Sequence, residues 1–223
     1  MVREARTITA AAALREGATL AYRQRDLIAV WGGRRLDPRL REEVMLAVAE
    51  ANACRWCTMA HRRWAIAEGA TDEELAAIEG QDSEHFDRRT WAAIAWAQAR
   101  ARTDLGPVPD ELEAELARHY DAGERADLEL VTQVMGVANR SANTFDALLG
   151  RLRGRPVANS RIGDELAIGS VVALSIPPVA WFLALRRVLG RASRLRTSGT
   201  PPRRSEAPQV APSVTSRVTQ ESA

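Results

Sequence analysis

Apolar residues recur at helical spacing along the first two thirds of the chain, and no run of alternating β-branched residues calls for a strand. A first helix is expected over residues 10–31, closed by "GGRR". Asp37 and Pro38 then offer an N-cap and a first-turn proline, so the segment from Pro38 to about Ala51 reads as the next helix. Asn52 suits a boundary, and "RWCTMAHRRWAIAEG" runs without Gly or Pro until Gly69, a natural stop. Thr71 with Glu74 makes a capping box for a short helix ended by Gly80. Further helices are expected from about Asp87 to Arg102, around "PDELEAELARHY", and from about Ala122 to Leu152, the last opened by a second capping box at Asp121 and Glu124. Residues 1–158 therefore read as an all-α body.

After residue 158 the pattern changes. Residues 166–185, "LAIGSVVALSIPPVAWFLAL", are twenty positions without a charge, the length of a membrane span. Pro177 and Pro178 in the centre would break or kink a helix there, and arginines on both flanks give no orientation. Two readings stay open for residues 159–196: an apolar helical segment packed on the body or on another subunit, or membrane contact through residues 166–185. Residues 197–223 are rich in Pro, Ser and Thr with few apolar positions, and are expected to be a disordered tail.

One position breaks the pattern of the helix that begins at Pro38. At 100° per residue Arg39, Glu43 and Glu50 share a narrow polar side, read as solvent-facing. Glu42 instead falls with Met45, Leu46 and Ala49, so burial of that face would bury its carboxylate. A buried carboxylate needs a partner or a proton, and such groups make useful bases. The alternative is a simple stabilising acid at a helix N-terminus, or one neutralised by an arginine.

Composition sharpens this picture in two respects. The 31 basic residues are all arginine, yet the net charge is only +2, so the balance argues neither for nor against an acidic partner. No nucleic-acid-binding module is present. The N-terminus "MVREARTITAAAALREG" does not read as a secretory signal, so a cytoplasmic, reducing setting is expected. In such a setting a close cysteine pair is more often catalytic, redox-active or metal-binding than a structural staple.

Both cysteines lie in "EANACRWCTMAH", residues 50–61. Cys54, Cys57 and His61 stand at i, i+3 and i+7 and would meet on one helical face, in the first turns of a helix whose dipole favours a thiolate. A reactive thiol, an imidazole to take its proton and a second thiol are what nucleophilic cysteine chemistry requires. Two rivals stay open: a pair of buried small hydrophobes, and a zinc site completed by His61 with His85 or His119. His85 and His119 sit in polar surroundings and read as surface residues. Trp31, Trp64, Trp91 and Trp96 read as core or interface residues, although Trp64 shares the face of Cys57 and His61 and could wall a pocket. Arg62 and Arg63 read as solvated or paired.

The spacing E-x11-C-x2-C-x3-H, from Glu42 through Cys54 and Cys57 to His61, resembles the alkylhydroperoxidase D-like branch of the carboxymuconolactone decarboxylase family. The core likeness covers residues 38–69, with a weaker likeness in helix order to about residue 152. The resemblance implies an all-helical fold assembled as a homo-oligomer, a trimer or larger, and no cofactor or metal. It implies a thiol peroxidase in which Cys57 attacks an organic hydroperoxide, Cys54 resolves the product as a disulfide, and His61 with Glu42 relays the proton. A dithiol donor, a lipoylated or thioredoxin-like protein, would reset the pair. A non-catalytic redox-sensing or assembly protein is the alternative on the same fold. The chain departs from some members at Trp56, where they carry a histidine, which implies a shorter proton path. The decarboxylase branch lacks the cysteine pair, so lactone decarboxylation is not expected.

Overall fold

The computed structural model describes residues 4–32 and 35–175. Among these residues the secondary structure is helical throughout, without a strand. Eight helices follow in order: α1 (Ala10–Tyr22), α2 (Gln24–Trp31), α3 (Pro38–Ala51), α4 (Arg55–Ala67), α5 (Asp72–Gly80), α6 (Arg88–Arg102), α7 (Asp110–His119) and α8 (Ala122–Leu152). A further helix, α9, covers residues 162–175.

Local capping chemistry sets most of these boundaries. Asp37 accepts from the Leu40 N–H with Pro38 in the first turn, and the boxes at Thr71/Glu74 and Asp121/Glu124 are both closed reciprocally. Asp87 caps α6 through the Thr90 N–H. The expected single helix over residues 10–31 is instead two, broken at Arg23. Its N–H bonds to the Leu20 carbonyl, three residues back rather than four, and its guanidinium reaches across to the Ala126 carbonyl on α8.

α3 lies at the centre, packed against α4, α5, α6 and α8. It feeds Val44, Met45 and Val48 into the main core with Trp96, Leu116, Leu128 and Val131. It also feeds Leu46 and Ala47 into a second cluster with Ala65, Leu75, Ile78 and Ile94. A helix surrounded in this way has no broad solvent face, which corrects the expectation for Glu43: it is 2 % exposed. Arg39 reaches in from the surface to donate to its Oε1 at 2.8 Å and to pair with Glu74 at 2.5 Å. Burial nonetheless pushes the Glu43 carboxyl above its ordinary value, with Arg39 opposing.

The tryptophans divide. Trp96 is core, its Nε1 donating to Glu113, and Trp91 stacks on Phe86 against the second cluster. Trp31 and Trp64 remain largely exposed. At the end of the described chain, α9 is tied to the body through fully buried Glu165. It accepts from Arg151 at 2.6 and 2.8 Å, while Asp164 accepts from the Ala10 N–H at 2.7 Å. No helix among the described residues is long and apolar enough to cross a membrane. The expectations for residues 176–196, including most of the proline-interrupted apolar run, and for the tail at 197–223 fall outside the described residues.

Candidate active site at the α3–α4 junction

Helix α3 ends in a Schellman turn. The Ala53 N–H donates to the Glu50 carbonyl and the Cys54 N–H to the Ala49 carbonyl, with Ala53 in the left-handed region at φ 50°. Such a conformation is costly for any residue with a Cβ. Its effect is to turn the chain within three residues and to leave Cys54 as the N-cap of α4, where its sulfur accepts from the Cys57 N–H at 3.4 Å. From behind, Asn143 on α8 donates through Nδ2 to the Asn52 carbonyl at 2.8 Å and to the Arg6 carbonyl at 2.9 Å. The loop that carries the cysteines is thus fixed by main-chain bonds and pinned to the longest helix.

Cys54 and Cys57 are joined in a disulfide with Cα atoms 5.3 Å apart. The two sulfur residues are not equivalent: Cys54 is 0 % exposed, whereas Cys57 is half-buried and packs at the edge of the main core. One turn beyond Cys57, His61 is 8 % exposed and points its Nδ1 at Glu42 Oε2, 2.8 Å away. Glu42, 6 % exposed, comes from the buried face of α3, as its wheel position implies. Its other oxygen, Oε1, accepts from Arg41 Nη2 at 3.2 Å and Nε at 3.4 Å. An ionised carboxylate can only accept, so with Glu42 in that form the ring hydrogen would lie on Nδ1 and Nε2 would be the basic nitrogen. Helical spacing sets His61 on the face of Cys57.

Comparison with protein families bears on the same segment. Residues 17–99 match the carboxymuconolactone decarboxylase family. No curated protein matches the chain. The family match runs from the middle of α1 to α6 and contains Glu42, Cys54, Cys57 and His61, so the junction just described lies inside the matched domain.

Beside the cysteine pair, Trp64 sets its ring edge-to-face on His61, with centroids 4.9 Å apart and planes at 83°. At 41 % exposure it walls the imidazole rather than filling the core. Trp56, also exposed, lies under the Arg55 guanidinium, which is 4.6 Å from its ring and paired with Asp146. Arg62 pairs with Asp72. His85 and His119 are not brought here: the first faces Asp82 and the second bonds to Glu115 on α7. Among the described residues no group of three or more His, Cys, Asp or Glu is arranged to hold a metal ion. A polar cavity of about 300 Å³ lies elsewhere, lined by Arg39, Glu43, Glu74, His85 and Asp87 among others, and includes none of the four candidate residues.

Two residues of the junction escaped the reading of the sequence. Arg41 is next to Glu42 in the chain, and neighbours one apart on a helix do not face each other. Asn143 lies 91 positions from the loop it pins, and nothing local marks it.

Proposed function

We propose that this chain is a thiol peroxidase of the alkylhydroperoxidase type, reducing organic hydroperoxides through Cys57. The observation that carries the reading is one of access and support together. Of the two sulfur residues Cys57 is the more accessible, and it stands one turn before an imidazole whose Nδ1 is held by a buried carboxylate. In the reduced protein His61 Nε2 accepts the Cys57 proton, with Glu42 stabilising the imidazolium that forms. The thiolate attacks the terminal peroxide oxygen, the O–O bond breaks, and the departing alkoxide takes the proton back from His61 to leave as the alcohol. Cys57 is then a sulfenic acid. The Cys54 thiol condenses with it, releasing water and forming the disulfide. Two electrons from a dithiol donor, a lipoylated or thioredoxin-like protein, restore both thiols by exchange through Cys57. This cycle suits a cytoplasmic setting. Exposed Trp56, Met59, Trp64 and Ile66 on α4 support the homo-oligomer expected from the resemblance.

Stopped-flow oxidation of the reduced protein by an organic hydroperoxide tests the reading. Disulfide formation is expected well above the rate of a free cysteine, abolished in Cys57→Ser and arrested at the sulfenic acid in Cys54→Ser. Oxidation no faster than that of an unfolded thiol would remove the peroxidase assignment and favour the redox-sensing alternative.

A further inference from the structure

Arg41 takes no part in the steps above, yet its placement is too specific for a residue that merely neutralises charge. It is almost fully buried. Because adjacent helical residues point apart, its side chain meets Glu42 only by folding back over the helix. The end of α2 holds it in that shape: Arg41 Nη1 donates to the Val30 carbonyl at 3.3 Å, and the guanidinium lies 5.9 Å from the centre of the Trp31 ring. With Oε1 of Glu42 committed to this cation, Oε2 is the oxygen left for His61.

We infer that Arg41 is a positioning residue that keeps Glu42 an acceptor toward His61 Nδ1, and so keeps Nε2 free to receive the Cys57 proton. A buried carboxylate stripped of its cation is costly and takes up a proton instead. The neutral carboxyl would donate to Nδ1, the ring hydrogen would move to Nε2, and the imidazole would present a donor to the thiol where it needs an acceptor. The charged and titratable groups concerned are few. Arg41 and Glu42 come from α3, and His61 and Cys57 from α4. α2 contributes the Val30 carbonyl and the Trp31 ring, and Trp64 flanks His61. Among the described residues no side chain of α5, α6 or α8 hydrogen-bonds to Arg41, Glu42 or His61. The kinetic consequence rests on the peroxidase reading; the state of the imidazole does not.

The test is nitrogen NMR of the reduced full chain labelled at histidine, with His61 assigned by its loss in His61→Gln, alongside the pH profile of thiol oxidation. The wild type and Arg41→Lys should both carry the ring hydrogen on Nδ1, whereas Arg41→Met should carry it on Nε2. Oxidation by hydroperoxide should fall at least about tenfold near neutral pH in Arg41→Met and recover as the pH rises, while Arg41→Lys stays within a few-fold of wild type. Arg41→Gln, which keeps a hydrogen-bond donor without the charge, serves if Arg41→Met does not fold, and should behave as Arg41→Met does. A folded Arg41→Met or Arg41→Gln protein that keeps the wild-type ring signals would overturn the inference, as would a loss of rate equal at every pH. A wild type that does not react with hydroperoxide while Arg41→Met still moves the ring hydrogen would remove the peroxidase reading and leave the role of Arg41 standing.

Discussion

Cys54 and Cys57 differ in exposure, and under the proposed peroxidase reading that difference decides which sulfur an incoming peroxide or dithiol can meet. Cys54 caps α4 and its sulfur takes the Cys57 N–H, but it is 0 % exposed. Access is therefore what assigns attack to Cys57 in the proposed cycle. Glu42→Gln should lower the rate of disulfide formation by about 100-fold, the usual share of a positioned acid–base group, in a protein that still folds although buried Arg41 loses its counter-charge; unchanged kinetics with a large loss of stability would make Glu42 a structural residue. Asn143→Ala should destabilise by about 1–3 kcal/mol in chemical denaturation, because it removes two hydrogen bonds, to the Asn52 and Arg6 carbonyls, and leaves the Asn52 carbonyl only the Arg6 N–H at 3.3 Å. At this scale two pairings, Glu42 with His61 and Cys54 with Cys57, were legible from the E-x11-C-x2-C-x3-H spacing. Arg41 was not, since spacing along one helix gives no account of a side chain bent back by a neighbouring helix.

Helices α4 and α3 end in the same turn with different residues at its left-handed position. Gly69 closes α4 at φ 99°, with Ala70 N–H on the Ala65 carbonyl and Gly69 N–H on the Ile66 carbonyl. Ala53 closes α3 at φ 50° with the same pair of bonds. Ala53→Gly should thus raise stability by up to about 1 kcal/mol in urea titration, the relief of the left-handed Cβ less the added freedom of the unfolded chain; a destabilised variant would mean that the alanine methyl is needed for packing. Stops of the Gly69 kind and caps of the Thr71/Glu74 kind could be read in the sequence because they depend on residues within one turn. Asn52 marked the stop of α3 after Ala51, but the left-handed residue of the turn, Ala53, carries no such mark, and the break at Arg23 was hidden because its side chain is held by the Ala126 carbonyl on another helix.

At the scale of the whole molecule, α3 is enclosed by four helices, and that enclosure could not be seen from its own wheel. The wheel ranks positions around one axis, whereas burial depends on how many neighbours pack around it, so Glu43 was misread and Glu42 was not. The enclosure has a consequence for pH. Burial raises the Glu43 carboxyl above its ordinary value of 4.5, so the folded state holds that proton more tightly than the unfolded chain. Its contribution should favour folding in acid and be lost as the pH rises from 4.5 through the folded value. Glu165 has the opposite sign: Arg151 lowers it, so its contribution is present above its ordinary value of 4.5 and is lost as the pH falls through the folded one. Denaturation of wild type and Glu43→Gln at a series of pH values should show the decline above 4.5 flattened in the variant; parallel curves would mean that Glu43 is as ionised in the folded chain as in the unfolded one. The proposed cycle turns on one sulfur atom, which mass spectrometry of the Cys54→Ser protein, treated with one equivalent of organic hydroperoxide and a sulfenic-acid trap, identifies directly. The account predicts a single adduct at Cys57, formed quickly in the folded protein and slowly after denaturation; an adduct that forms equally fast in both states, or none, would contradict it.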